Sequence, residues 1–293
     1  MKNSIKYIAI LAATLLSAGA CSKWTQQEAL EFNYVTIGEK NPALYEAYLE
    51  SVRSYHATEH QVLIARFDNK AGVLSGRADH VNNLPDSVDY VVLNNYTAIN
   101  ETILSEVNEV RSMKGTKTLI PLDFDALVKE YALYVEGLES EKVIALQEAF
   151  FGPVLTYAAS GKLLFFQGNP NHLLLEADVL TPAKYIIVPA ESVTSTEGFN
   201  FAVHMASGNN IPAEKFVLGV TAFDVTDETA TNGLFCGGIS AIEGAARWAV
   251  APDANFGKLG ICVNHAQFDY YNIQHVYREI STAIATMNPS PLK

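Results

Sequence analysis

The chain has 293 residues, 49% of them apolar, which is enough for one large core or two small ones. It carries 32 acidic against 20 basic side chains, a net charge of −12. That balance excludes a basic nucleic-acid-binding surface and is wrong for a polyanionic ligand, whereas a neutral ligand such as a sugar is compatible with it.

Residues 1–20 read as an export signal. Lys2 and Lys6 give a positive start, Tyr7 to Leu16 is an apolar run too short to span a bilayer, and Ser17-Ala18-Gly19-Ala20 leads to Cys21. The small-small-Cys ending resembles a bacterial lipoprotein box, in which Cys21 becomes the lipid-bearing N-terminus. An ordinary signal peptide with an incidental cysteine is the alternative. Removal of the segment takes away two lysines and no carboxylate, moving the net charge from −12 to −14. Residues 21–42 form a polar lead-in ending at Pro42, and 43–293 form the folded domain.

In that domain, Leu44, Tyr45, Tyr48, Leu49, Val52 and Tyr55 recur at helical spacing, so Ala43 to Tyr55 is expected as an amphipathic helix. Gln61 to Phe67 is the first strand, ending in Asp68-Asn69. The stretch 70–86 holds a short helix at best. Ser87 to Leu93 is the second strand, ending in Asn94-Asn95-Tyr96, and Ile99 to Ser112 is a helix. Thr116 to Leu122 is the third strand, ending in Asp123-Phe124-Asp125, with a helix to about Leu133. Ile144 to Tyr157 is helical. Lys162 to Phe166 is a strand ending in Gln167-Gly168-Asn169, and Lys184 to Val188 one ending in Pro189-Ala190-Glu191. A helix over Gly198 to Ala206 precedes the strand Lys215 to Val220, which ends in Thr221-Ala222-Phe223-Asp224. A helix over Ile239 to Val250 precedes the strand Lys258 to Val263, which ends in Asn264-His265. A long helix from Tyr270 to Met287 closes the chain, stopped by Pro289.

These are seven short, non-alternating apolar runs, most of them separated by helices. Such runs are buried on both faces and belong to a parallel sheet. No glycine fingerprint follows the first strand, which weakens a nucleotide-binding open sheet. The expected fold is therefore an α/β TIM (β/α)8 barrel, its fourth strand lying around Leu133–Ser140, irregular or missing. Cys236 and Cys262 read as separate buried thiols, and no Cys/His spacing for zinc is seen. No metal or cofactor is expected.

Several stretches resemble the chitinase-like glycoside hydrolase family 18, in its Bacteroidetes lipoprotein branch of endo-β-N-acetylglucosaminidases. They are the opening Cys21-Ser22-Lys23-Trp24-Thr25, the run Tyr45 to Tyr55 followed by Gln61 to Asn69, and the closing Tyr270-Tyr271-Asn272 to Met287-Asn288-Pro289. The family motif, Asp-Gly-x-Asp-x-Asp-x-Glu, ends strand four. Its Glu protonates the glycosidic oxygen, and the preceding Asp positions the substrate's N-acetyl group for attack on the sugar's own anomeric carbon. The best register lays that motif on Glu136 to Val143. Glu136, Glu139 and Glu141 take the Asp positions, and Val143 takes the place of the proton donor. A valine cannot deliver a proton, and general-acid help is worth about 10²–10⁴-fold. Glu141 or Glu148 could serve in a shifted register, or these glutamates form a solvated helix face. Pro189-Ala190-Glu191 also departs from the Gln/Met-x-Tyr group that relatives commonly carry after the sixth strand.

Groups at the C-terminal ends of barrel strands face the site. The candidate glycan-binding residues are Asp68, Asn94, Asn95, Tyr96, Asp123, Asp125, Gln167, Asn169, Glu191, Phe223, Asn264, His265 and Tyr270; each could equally be a loop-capping group. His265 with Asp269 suggests a base pair for hydrolysis, but no nucleophile motif accompanies it, so a hydrogen-bonded histidine is preferred. Trp24 and Trp248 are not obvious sugar platforms. The resemblance implies a non-catalytic glycan-binding lipoprotein, lipidated at Cys21 and held on the outer membrane of a Gram-negative bacterium, at the surface or the periplasmic face. It would capture N-acetylglucosamine-containing glycans, N-glycans among them. The alternatives are an active endo-β-N-acetylglucosaminidase and a structural subunit of a glycan-uptake complex.

Overall fold

The computed structural model describes residues 36–95, 98–119, 165–167, 185–207, 213–227, 229–253 and 256–290. The chain divides into two compact units, Met1–Glu46 and Ala47–Lys293. In the first, a single turn over Ile37–Lys40 is closed by a capping box. The Glu39 amide donates to Thr36 Oγ1 at 3.2 Å, and the Thr36 amide donates to the Glu39 carboxylate at 2.7 Å. Helix α1 spans Pro42–Ala57 and opens on a proline, whose missing N–H costs nothing at a helix start.

The larger unit is built on parallel strands β1 (Val62–Phe67), β2 (Tyr90–Leu93), β3 (Lys117–Leu119), β4 (Phe165–Gln167), β5 (Tyr185–Pro189), β6 (Phe216–Thr221) and β7 (Gly260–Asn264). Helices α2 (Glu101–Met113), α3 (Thr196–Ala206), α4 (Ala241–Val250) and α5 (Arg278–Met287) connect or follow them. Among the described residues the sheet order is β3-β2-β1-β7-β6-β5-β4. The first strand therefore pairs with the last, Ile64 opposite Cys262, and this is the closure of a barrel rather than the order of an open sheet.

A cross-barrel contact shows the curl directly. The hydroxyls of Tyr90 on β2 and Tyr185 on β5 lie 3.0 Å apart. Four strand spacings of about 4.8 Å would separate these strands by roughly 19 Å in a flat sheet, too far for two tyrosines to meet. The architecture is a TIM-type α/β barrel, and its expected fourth strand, Leu133–Ser140, lies outside the described residues.

Side chains sort by parity, as strand geometry requires. Val62, Ile64, Tyr90, Val92, Tyr185, Ile187, Val217 and Cys262 fill the barrel interior. Their neighbours Leu63, Ala65, Phe67, Val91, Leu93, Ile186, Val188, Leu218 and Val263 face outward, into a layer shared with helix residues such as Phe199, Ile242 and Ile280. The closing seam needs glycine at position 260. Its φ is +143°, and a Cβ there would stand 1.9 Å from the Val62 carbonyl oxygen.

Each of the seven expected strands has a counterpart among the described residues; residues 120–122, 162–164 and 184 of the expected strands, and the expected helices after Asp125 and over Ile144 to Tyr157, lie outside them. The stretch 70–86 contains two 3₁₀ turns, Arg77–Asp79 and Val81–Asn83. The expected last helix, Tyr270 to Met287, is corrected: only Arg278–Met287 is α-helical, and a 3₁₀ turn over Ala266–Asp269 precedes Tyr270. Asp269 is the reason. Its carboxylate accepts from the Glu279 and Ile280 amides at 3.2 and 2.9 Å, so the chain loops out and restarts as α5. The two cysteines are free and separate, as expected, but Cys236 is exposed and only Cys262 is buried. Burial pushes the Cys262 thiol up to about 12.

Candidate functional site

The barrel mouth follows from the same parity. Continuing each inward stripe past the apolar residues gives Arg66 on β1, Asn94 after β2, Glu191 after β5, Thr221 on β6 and Asn264 on β7. These five polar side chains line one cleft of about 690 Å³ at the C-terminal ends of the strands, within the usual range for a small-ligand site. The β6–α4 loop supplies its other wall, with Asp224, Asp227 and Thr229. Asp224 and Asp227 each accept from the amide and hydroxyl of a threonine two residues on, which shapes that loop.

The groups on the floor are wired to one another. Arg66 donates from Nε and Nη2 to Asn94 Oδ1 at 3.1 and 2.9 Å, which turns the Asn94 amide so that its nitrogen donates to Asp68 at 2.7 Å. Asp68 also accepts from Gln267 Nε2 at 2.8 Å and pairs with His265 Nδ1. Burial alone would raise the Asp68 carboxyl, but the hydrogen bonds from His265, Asn94 and Gln267 outweigh it and hold it down at about 2. The same bond, with the Asp68 charge behind it, raises His265 against the opposing effect of its burial. Asn264 donates to Glu191, while Asn264 Oδ1 is buried and has no hydrogen-bond partner among the described residues. An acceptor left open in the floor of a polar cleft matches the N–H or O–H of a ligand.

Phe268 stacks on His265 with centroids 5.4 Å apart and planes 14° from parallel, and it borders the cleft. With Tyr271 and Asp68 it also lines an adjoining cavity of about 500 Å³. An aromatic face beside amides and carboxylates can cover the apolar side of a sugar ring while the polar groups take its hydroxyls.

Of the residues expected at the site, the structure brings together Asp68, Asn94, Glu191, Asn264 and His265. Asn95 is braced at the rim, exchanging hydrogen bonds with the Asn69 side chain through its own backbone. Phe223 lies to one side, in the cavity over Gly233 and Tyr271. Tyr270 is not at the cleft; it is 6% exposed and packs edge-on against Tyr271 and Tyr277. The pairing of His265 with Asp269 is replaced by His265 with Asp68. Trp248 is no platform, being buried with its indole N–H on Asn200. Tyr96, Asp123, Asp125, Asn169, the side chain of Gln167 and the whole stretch with Glu136, Glu139, Glu141, Val143 and Glu148 lie outside the described residues, as do Cys21 and Trp24.

Three contributors went unread in the sequence. Arg66 sits inside an apolar strand, and its signal was an even position shared with Val62 and Ile64. Gln267 and Phe268 follow His265 in a 3₁₀ turn, too short for a periodic signal in the sequence. His265 itself has a left-handed backbone, φ 52°, which turns its ring back toward Asp68.

Residues 25–158 match the family described as Glycoside hydrolase family 18, BT1044-like. The chain is similar in structure to BT1044, in its selenomethionine form, with a TM-score of 0.62 and 16% identity over 86% of this chain and 95% of that one. It is also similar to the endo-β-N-acetylglucosaminidase from Cordyceps militaris in apo form, with a TM-score of 0.56 and 15% identity over 83% and 96% of the two chains. No curated protein matches the sequence.

Proposed function

We propose, from the match of residues 25–158 to glycoside hydrolase family 18 and the shared barrel fold, that this protein is a member of that family which binds N-acetylglucosamine-containing glycans in its barrel mouth and does not cleave them. The observation that carries the binding half is the continuous polar floor from Arg66 to Asn264, with the buried, unpartnered Asn264 Oδ1 in it and the Phe268 face beside it. The silent half rests on Val143 occupying the proton-donor position in the motif register. Asp68 supports it, because a carboxyl held at about 2 has no proton to give near neutral pH. The lipoprotein box at Cys21 adds the location: a lipid-anchored protein of the outer membrane, which would deliver captured glycan to an uptake complex.

The test uses the mature chain with chitooligosaccharide and with an N-glycoprotein. Calorimetry is expected to show saturable binding that Asn264→Ala weakens by about tenfold, in line with losing a ligand hydrogen bond. Mass spectrometry is expected to find no released glycan. Turnover abolished by Glu141→Gln would replace this reading with an endo-β-N-acetylglucosaminidase, which the likeness to the Cordyceps militaris enzyme keeps as the second reading. Neither binding nor turnover would leave a structural subunit. Metabolic labelling with a fatty-acid analogue tests the anchor, which Cys21→Ser should abolish.

A further inference from the structure

We propose that the opposite, N-terminal end of the barrel holds a divalent transition-metal cation, zinc by its donor set, on His56, His60 and Asp89. His56 ends α1, His60 leads into β1, and Asp89 precedes β2, so the site stands one strand length from the glycan cleft. The three side chains converge, with one ligand atom from each lying within 4.8 Å of the others. They are 5%, 9% and 5% exposed, so the cluster is not a chance meeting of surface charges.

Two backbone carbonyls carry the inference. His56 Nε2 is 2.9 Å from the Asp86 carbonyl oxygen, and His60 Nδ1 is 2.8 Å from that of Thr58. A carbonyl can only accept, so both of those nitrogens bear hydrogen. The other two nitrogens, His56 Nδ1 and His60 Nε2, then point at a single atom, Asp89 Oδ1, from 3.0 and 2.7 Å. Neutral rings would aim two lone pairs at a carboxylate lone pair, so positive charge must lie between them. Two extra protons would place two imidazolium ions side by side in a nearly dry pocket with one carboxylate. A single dication needs only neutral rings, and histidine ligands are typically fixed in this way by a carbonyl on the far nitrogen.

The rest of the site fits. Asp89 Oδ2 accepts from the Leu63 amide at 2.9 Å, which leaves Oδ1 for the ion. The Tyr55 ring lies over His60 with centroids 4.3 Å apart and meets His56 edge-on at 5.3 Å, fixing both imidazoles. The Asp86 carboxylate is taken by Lys114 at 2.7 Å and by the Tyr48 hydroxyl, so it is not a fourth ligand. A surface cavity lined by His60, Glu59, Ser87 and Asn288 gives an entry path and room for water at the open position. Two nitrogens and one oxygen suit zinc, whose tetrahedral ligands stand about 3.3 Å apart. The two nitrogen–carboxylate separations, 3.0 and 2.7 Å, therefore need to open by only about 0.3 to 0.6 Å to admit the ion. The bound ion would tie the end of α1 to the starts of β1 and β2.

The test is zinc titration of the chelator-stripped full chain, followed by calorimetry and metal analysis. One zinc per chain is expected, with a rise in melting temperature, and affinity about 10–100-fold lower in His60→Ala. Failure of the wild-type chain to retain zinc overturns the proposal, and so does undiminished binding by folded His60→Ala. X-ray absorption of the zinc-loaded wild-type chain decides the matter if the variant does not fold. Imidazole scattering with no sulfur is expected, whereas a sulfur shell would move the metal to a cysteine and overturn the site. Binding of zinc by the barrel end is independent of whether the mouth takes glycan, so either reading can fail alone.

Discussion

Replacing Asp68 with asparagine tests the electrostatic wiring of the cleft. In the wild-type chain the Asp68 carboxyl falls from 3.8 to about 2. A shift of nearly two units would be worth roughly 2.5 kcal/mol in a dry site. With 39% of the Asp68 side chain exposed, solvent screening reduces that to about 1 kcal/mol. The signs then fix the pH dependence. Asp68 is lowered, so its contribution is present above 3.8 and is lost as pH falls toward about 2. His265 is raised above 6.5, so its contribution is full below 6.5 and is lost as pH rises through its folded value. The stability difference between wild type and Asp68→Asn should therefore be widest between 3.8 and 6.5 and shrink on either side. Denaturant melts across pH measure it, and imidazole NMR should show His265 titrating lower in the variant. An unchanged His265 titration would falsify the pairing of Asp68 and His265 as the source of both shifts.

Four other outcomes follow from particular contacts. Gly260→Ala should cost more than about 4 kcal/mol and yield little folded chain, because its Cβ would collide with the Val62 carbonyl at the barrel's closing seam; soluble yield and circular dichroism check it. Phe199→Ala should lower stability by about 3–5 kcal/mol in thermal or urea melts, since Phe199 is fully buried, stacked on Phe235 and edge-on to Trp248. Asp269 is raised to about 6 by burial, so stability should fall as pH rises from 3.8 through about 6; Asp269→Asn should remove that slope while losing about 1–3 kcal/mol in acid, where its amide meets a helix N–H. In the native state a thiol reagent should label Cys236 promptly and leave Cys262, whose thiol is buried and pushed up to about 12, until denaturant is added; equal labelling would contradict the burial of β7.

What could be read from the sequence, and what could not, divides along a physical line. The strands were legible because both their faces are buried, so Val62–Phe67 or Phe216–Thr221 is apolar whatever lies beside it. The last helix was over-read because Tyr270, Ile273 and Tyr277 mimic helical spacing. Ile273 is in fact fully exposed, and Tyr277 is buried with a left-handed φ of 52°. Periodicity sees side-chain alternation, and it cannot see one carboxylate, Asp269, claiming the first amides of a helix ten residues on.

Contacts across long sequence separation were the other blind spot, and they are what the cleft is made of. Asp68 and His265 are 197 positions apart, so proximity in sequence pointed His265 at Asp269 instead. Once β1 is known to close on β7, the partnership follows, because both residues come directly after paired strands. The same closure explains why Arg66 can be charged within an apolar run. It is the last inward position of β1, where the interior stripe leaves the dry core and meets the amide of Asn94. A polar residue at the final inward position of a barrel strand therefore marks the floor of the site, and Thr221 and Asn264 obey the same rule on β6 and β7.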